Sequence, residues 1–312
     1  MILLVKSGGE AAMPAWRAAF AEADPRLDVR WWDDPAVRPE GVAYVLAWDP
    51  EPGRLARLPN LRVVFGTGAG VDGIVRDPDL PPHLPVVRLG GPEVARRMAD
   101  YVAWACLSLL RDARAMALAQ AEARWLDLDS ATTSLERRVG VMGLGNLGTA
   151  AARSLLGLGF EVSGWSRAPR AVEGVATFAG PGERDVFLAR SDLLVCLLPS
   201  TPETVGVLGA GLFAALPRGA GVVNAARGDQ LVVRDLLAAL DSGYLSGAVL
   251  DVFAGEPLPP DSPLWSHPRV TVTPHCASLA TRAERARYVA AAIAAHESGG
   301  PLPNLYDRAR GY

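Results

Sequence analysis

Arg138-Val-Gly-Val-Met-Gly143-Leu-Gly145-Asn146-Leu147-Gly148-Thr-Ala-Ala-Ala-Arg-Ser-Leu-Leu-Gly-Leu-Gly-Phe160-Glu-Val-Ser-Gly-Trp165-Ser166-Arg167 reads as strand, glycine turn, helix and second strand. The first strand is Val139–Met142, an Ala/Leu-rich helix runs on from the turn through Leu158, and the second strand is Phe160–Trp165. The glycine spacing has a mechanism. Gly143 permits a tight turn, Gly145 lets backbone approach a pyrophosphate, and Gly148 lets the helix pack closely on the sheet. The phosphates would sit on the free N–H groups where Asn146 and Leu147 open the helix. In a chain with 32 glycines such a spacing also arises as a plain structural turn. Its place directly between a β-patterned strand and a helix favours a dinucleotide site.

The end of the second strand bears on which dinucleotide. An NAD site places an acid there for the ribose 2′-hydroxyl, whereas an NADP site places cations and hydroxyls for a 2′-phosphate. Here the strand ends Trp165-Ser166-Arg167, with Arg170 close behind and no carboxylate. A guanidinium suits phosphate recognition, so the pattern favours NADPH over NADH. The blander alternative is that Arg167 is merely solvated, in a chain whose basic residues are nearly all arginine.

With 312 residues, half of them hydrophobic, the chain can bury a large core and is long enough for two domains. A formal charge of −3 without a basic block argues against a nucleic-acid surface. Cys106, Cys196 and Cys276 lie far apart without metal spacing, so no metal site is expected and the three read as reduced core thiols of a cytoplasmic protein. Neither a signal peptide nor a membrane span is legible: Met1-Ile-Leu-Leu-Val-Lys6 is too short and reads as a first strand.

Along the chain, strands alternate with helices. Ile2–Val5, Asp28–Trp31, Val42–Ala47, Arg62–Thr67 and Val86–Leu89 read as strands, and Pro14–Ala23 as a helix. The cluster Gly66-Thr-Gly68-Ala69-Gly70-Val71 follows a strand, where open α/β sheets place ligands; its amides suit a carboxylate, and a simple β-turn is the alternative. A long helix is expected from Pro92 to about Arg114, bridging two domains, with a helical arm expected over Ala115–Trp125 that would suit a subunit interface. Beyond Arg167 the expected elements are a helix over Glu183–Arg190, a strand over Asp192–Leu198, a helix over Gly211–Leu216 and a strand over Gly221–Ala225. A helix over Val232–Asp241, strands over Gly247–Val252 and Val270–Val272, and a last helix over Thr281–Glu297 complete the series.

Three of these strands end in chemistry: Arg227, Glu256 and His275 follow them in turn. Reducing a carbonyl by hydride needs a proton donor at oxygen and a cation that polarises the carbonyl and grips a neighbouring carboxylate. His275 suits the first task, and a carboxylate beside it, as Glu256 would be, favours the imidazolium. Arg227 suits the second because its planar guanidinium is permanently charged. Each has a structural alternative when taken alone, arginine before glycine and glutamate before proline being ordinary turn chemistry. Their shared position at strand ends of one dinucleotide domain lifts them together. His83, His267 and His296 fall in a proline loop, a turn and the last helix, with no such partners.

Five motifs in order, Gly143-Leu-Gly-Asn-Leu-Gly148, Leu198-Pro-Ser-Thr-Pro-Glu-Thr204, Asn224-Ala-Ala-Arg-Gly228, Leu250-Asp-Val-Phe-Ala-Gly-Glu-Pro257 and Thr273-Pro-His-Cys-Ala-Ser278, resemble the D-isomer-specific 2-hydroxyacid dehydrogenase family. The resemblance implies an α/β fold: two Rossmann-like doubly wound parallel-sheet domains with an active-site cleft between them. Residues 1–93 with 281–312 would form a discontinuous substrate lid, and 94–280 the cofactor domain. By the same resemblance Arg227 binds the substrate carboxylate and carbonyl, Glu256 pairs with His275, and His275 is the acid–base. Gly68, Ala69, Gly70, Val71 and Ser278 would contact substrate. Leu198, Pro199, Ser200, Thr204, Ala225, Ala226 and Asp251 would line the cofactor, with Asp251 facing the nicotinamide carboxamide.

Within the family the chain is most similar to the glyoxylate/hydroxypyruvate reductase branch, because Trp48 would wall a small pocket and Trp165-Ser166-Arg167 resembles the NADPH-preferring members. A homodimer is implied as well. Cys276 and Asp49 depart from the usual residues, the first replacing a branched aliphatic side chain. Two other readings stay open: reduction of a different small 2-oxo acid with NADH, and a dinucleotide-sensing interaction protein akin to corepressors that share this fold.

Overall fold

The computed structural model describes residues 1–128 and 132–312, which divide into two compact units. The smaller comprises Met1–Pro92 and Ala280–Tyr312, the larger Glu93–Leu279.

The smaller unit begins β1 (Ile2–Lys6), α1 (Met13–Ala23), β2 (Asp28–Trp31), β3 (Val42–Ala47), β4 (Val63–Gly66), α2 (Asp72–Val75) and β5 (Val86–Val87). Its five strands are all parallel, in the order β2-β1-β3-β4-β5. Parallel strands covered on both faces bury both sets of alternate side chains. Leu3, Val5, Tyr44, Leu46, Val63 and Phe65 accordingly face one core, and Leu4, Val45, Ala47 and Val64 the other.

The larger unit takes in α3 (Pro92–Leu110) but for its first residue, α4 (Ala113–Ala121), β6 (Arg138–Met142), α5 (Asn146–Gly157), β7 (Glu161–Ser166), β8 (Ala176–Ala179) and α6 (Gly180–Leu188). It continues with β9 (Leu193–Cys196), α7 (Ala210–Ala215), β10 (Ala220–Asn224), α8 (Val233–Asp241), β11 (Leu245–Leu250) and β12 (Val270–Val272). The seven strands are again parallel, in the order β12-β11-β10-β9-β6-β7-β8. The order reverses between β6 and β9, the switch point where doubly wound sheets bind ligands beyond the strands' carboxyl ends.

α9 (Arg282–Glu297) returns to the smaller unit, opened by a capping box in which Glu284 N donates to the Thr281 hydroxyl. Ala286, Val289, Ala290 and Ile293 of α9 share a buried cluster with Trp16 and Phe20 of α1. The following tail lies against β5: Arg88 N donates to Asn304 O at 3.1 Å and Tyr306 N to Val86 O at 2.8 Å. That pairing covers an otherwise bare strand edge.

Several expectations need correction. β8 was not foreseen: Ala-Thr-Phe-Ala is short, at the sheet edge and only partly covered, so it lacks the unbroken apolar run of a central strand. The glycine cluster after β4 leads into a one-turn helix, α2. β5 has two residues rather than four, and α6 starts at Gly180 rather than Glu183. The helix from Pro92 ends at Leu110 because Asp112 adopts a left-handed φ of 52°, which Asp tolerates better than most residues. The expected arm ends at Ala121, leaving Trp125 beyond it. Cys106 and Cys196 are core thiols, pushed up to about 12 by burial, but Cys276 is half-buried in a loop.

Candidate active site

The glycine turn sits at the switch point. Gly143 N donates to Trp165 O at 2.8 Å and Leu197 N to Met142 O at 2.8 Å, tying the turn between the ends of β7 and β9. Gly143 has φ 101°, which only glycine adopts readily. A Cβ on Gly148 would stand 1.8 Å from Gly143 O, so helix and turn touch backbone to backbone. Gly145 is the N-cap of α5, and a Cβ there would meet nothing within 4 Å. Asn146 and Leu147 open the helix, whose first turn carries no acidic residue.

At the end of β7, Trp165 Nε1 donates to Gly180 O at 2.8 Å, which fixes the indole on the first residue of α6. Ser166 donates to Ala168 O at 2.7 Å, folding the loop so that Arg167 and Arg170 stand exposed beside it. Arg170 also donates to Leu144 O inside the glycine turn. Arg167 lies near enough to Glu203 to help hold that carboxyl below its ordinary value, an effect led by the Thr201 hydroxyl.

Beyond β9, the Thr204 hydroxyl donates to Pro199 O at 2.7 Å and accepts from Thr201 N at 2.9 Å, so it closes its own turn. Ser200 donates to Asp229 at 2.8 Å. Leu198, Ala225 and Ala226 are buried. Two buried amides to which the sequence alone assigns no role lace these loops together. Gln230 Nε2 donates to Pro199 O at 2.9 Å and its Oε1 accepts from Arg227 N at 3.3 Å. Asn224 Nδ2 donates to Arg227 O at 3.0 Å and its Oδ1 accepts from Ala226 N at 3.2 Å. Asn224 had a legible signal, a lone amide ending the apolar run Ala220-Gly-Val-Val.

Arg227, Glu256 and His275 follow β10, β11 and β12, neighbours in one parallel sheet, so all three stand at the same edge. The Arg227 loop abuts the Glu256 loop: a Cβ on Gly228 would fall 1.8 Å from Phe253 C, and Phe253 N donates to Glu256 Oε1 at 2.8 Å. The other oxygen of Glu256 meets His275 Nδ1 at 2.7 Å, both side chains about one-third exposed. Arg227 is half-buried and donates to Ala226 O at 2.7 Å.

Asp251 is 1% exposed, and both its oxygens accept from protein donors, Oδ1 from Cys276 N and Oδ2 from Ala277 N, each at 2.9 Å. Ser278 donates to Val94 O at 2.6 Å. In the smaller unit, a Cβ on Gly68 would lie 3.0 Å from the Trp48 ring, so that indole packs over the turn. The amides of Ala69, Gly70 and Val71 donate to no backbone carbonyl among the described residues.

A family model described as D-isomer specific 2-hydroxyacid dehydrogenase, NAD binding domain, matches residues 103–277. Over 302 residues the chain is 39% identical to a protein named glyoxylate/hydroxypyruvate reductase A from Serratia proteamaculans, covering 95% of this chain and 96% of that one. A crystal structure of a D-isomer specific 2-hydroxyacid dehydrogenase from Xanthobacter autotrophicus Py2, in complex with NADPH and MES, superposes with a TM-score of 0.92 at 44% identity; the match covers 100% of this chain and 99% of that one. The NADPH-dependent glyoxylate/hydroxypyruvate reductase of Sinorhizobium meliloti, in complex with NADP and sulfate, gives 0.91 at 40% identity over 100% of this chain and 99% of its own.

Proposed function

The chain belongs to the D-isomer specific 2-hydroxyacid dehydrogenase family, and from that premise we propose that it reduces a small 2-oxo acid, glyoxylate or hydroxypyruvate, to the 2-hydroxy acid with NADPH. The observation that carries this reading is the 2.7 Å contact between His275 and Glu256 at the sheet edge that also presents Arg227. The related reductases from Serratia and Sinorhizobium support the substrate class.

The residues at the switch point fit a dinucleotide. The space beside Gly145, the helix-opening amides and the absence of an acid in the first turn of α5 suit a pyrophosphate. Ser166, Arg167 and Arg170 would receive the 2′-phosphate, and the loops 198–204 and 225–226 would line the cofactor. When bound, the reduced nicotinamide supplies the hydride.

The chain supplies the remainder. With Glu256 held at Nδ1 of His275, Nε2 is the nitrogen that would bring a proton to the substrate oxygen, the tautomer being set by the hydrogen bond on Nδ1. General acid catalysis of this kind contributes about 10²–10⁴-fold. Arg227 polarises the carbonyl and pairs with the carboxylate. Trp48 and the amides of Gly68–Val71 support the smaller unit as the substrate-binding one, and Ser278, three residues beyond the imidazole, would join them.

The apolar side chains exposed on and just past α3 and α4, namely Trp104, Met116, Trp125 and Leu128, support a homodimer; light scattering of the purified chain reads its mass. Three free cysteines suit the cytoplasm.

The test is the initial rate of nicotinamide oxidation with glyoxylate and with hydroxypyruvate, each offered NADPH and NADH. Turnover favouring NADPH supports the reading, and silence with every pair overturns it. His275→Ala is expected to abolish turnover while NADPH binding stays within about twofold, and loss of cofactor binding instead would remove its role as acid–base.

A further inference from the structure

His275 stands in a backbone conformation that side-chain-bearing residues seldom adopt, with φ 50°. Left-handed backbone at such a residue costs about 1 kcal/mol or more, so the surroundings must impose it. Asp251 supplies most of that restraint. Its carbonyl accepts from His275 N at 2.9 Å, and its two carboxylate oxygens accept from the next two amides, Cys276 and Ala277. One buried side chain thus grips the turn on which the imidazole is mounted.

A third donor reaches that carboxylate: Thr273 Oγ1 to Asp251 Oδ1 at 2.6 Å. Thr273 has a single hydroxyl proton, and having given it to Asp251 it can only accept from its other neighbour, the Tyr101 hydroxyl at 2.7 Å. Burial pushes the Tyr101 phenol well above its usual range, which keeps that proton in place. The direction of the whole chain follows: Tyr101 donates to Thr273, Thr273 to Asp251, and Asp251 holds the amides after His275. Cys276 is the other titratable side chain against this group, and burial, followed by the charge of Asp251, pushes its thiol up so that it stays neutral. The origin of the chain is on α3, far from β12 in sequence.

We propose that Tyr101 is a positioning residue for His275, acting through Thr273 and Asp251 to fix the turn that presents the imidazole to Glu256. In its kinetic form the proposal rests on His275 being the acid–base. A direct readout of the imidazole keeps the two claims separable.

Tyr101→Phe removes the hydroxyl and keeps the ring, which packs against Trp104 at 5.4 Å. The expected result is a fall in kcat of about tenfold, with KM and NADPH affinity within about twofold, and a displaced limb in the pH profile of kcat. The NMR titration of the His275 ring, assigned with His275→Gln, should shift in the same variant whether or not the enzyme turns over. Thr273→Val should reproduce the effect and Thr273→Ser should restore most of the wild-type rate, which a merely structural role would not separate so sharply. Should Tyr101→Phe fail to fold, the two Thr273 variants decide alone. An unchanged kcat and an unchanged His275 titration in Tyr101→Phe, or equal behaviour of the Val and Ser variants, overturns the proposal. Loss of turnover in the wild type with a shifted titration in the variant would overturn the function above and leave the positioning role standing.

Discussion

The two units share a plan and differ in where each places its charge. In the smaller sheet, the carboxyl end of β1 is filled by the unit's own side chains. Lys6, its last residue, meets Glu51 at 2.6 Å; Trp32 Nε1 donates to the same carboxylate at 2.7 Å, and Arg54 stacks on the Trp32 ring at 4.1 Å. In the larger sheet, the comparable ion pair stands at the opposite end of the strands. Arg138, the first residue of β6, grips Asp192, just before β9, through Nε at 3.0 Å and Nη2 at 2.7 Å. The carboxyl ends of that sheet instead carry the glycine turn, Arg227, Glu256 and His275. The first βα turns differ in kind as well: α5 opens without an acid, whereas Ser7-Gly8-Gly9 leads into a turn begun by Glu10. A shared topology therefore says little about chemistry until the side chains at the strand ends are known.

The contrast is tested most severely at the glycines. Gly148→Ala places a methyl group against Gly143 O and is expected to destabilise the larger unit by about 3 kcal/mol and to abolish NADPH binding. Gly9→Ala meets nothing within 4 Å and bears only the backbone strain of φ 74° and ψ 177°, a region nearly confined to glycine, about 1–3 kcal/mol, with cofactor affinity unchanged. Thermal unfolding and a fluorescence titration with NADPH read both. Equal effects would mean that the two turns are equivalent after all.

A smaller effect separates the two cofactors. Arg167→Asp should weaken NADPH by about tenfold or more relative to NADH, because it replaces a cation with a carboxylate where the 2′-phosphate is expected. Parallel loss of both dinucleotides in the same titration would remove the phosphate argument.

The least effect is expected at the ion pairs, where pH provides the probe. Burial pushes Asp192 up, but the Arg138 guanidinium and amide outweigh it and hold the carboxyl below its ordinary 3.8. Burial likewise opposes Lys6 and Trp32 at Glu51, which is nonetheless lowered from 4.5 to about 2. A depressed folded value means stability that is complete above the ordinary value and lost as pH falls through the folded one. Asp192→Asn should cost about 1–2 kcal/mol at neutral pH, and Glu51→Gln, whose carboxylate is half exposed, less than about 1 kcal/mol. Both differences should shrink in urea titrations as pH drops below 4.5 toward 2; a difference that persists at the acid end would assign the loss to packing rather than charge.

Much of this was legible in the residues. The long apolar runs at β9, β10 and β11 and the glycine spacing after β6 specify a doubly wound parallel sheet, because buried parallel strands need both faces apolar and the turn needs residues without Cβ. Arg227, Glu256 and His275 were legible as strand-end residues. β8 escaped because an edge strand need not be apolar, and the break at Asp112 escaped because no glycine or proline marks it. Tyr101 escaped for a different reason. On α3 it reads as one more apolar position, and only the folded chain reveals that its hydroxyl meets Thr273, 172 residues away. The buried amide of Gln230 is similarly silent, since backbone groups brought together by the turns hold it, Pro199 O accepting from it and Arg227 N donating to it.

The return of α9 to the smaller unit has a bearing on synthesis. Residues 93–279 leave the ribosome before α9 does, so the larger unit can complete its core while the nascent chain still lacks the cover for Trp16 and Phe20. During that interval α1 presents an apolar face and β5 a bare edge, both of which wait for the last segment to be translated. A chain truncated near residue 280 and released would therefore expose one folded and one sticky half, which makes the smaller unit the part a holding chaperone would meet.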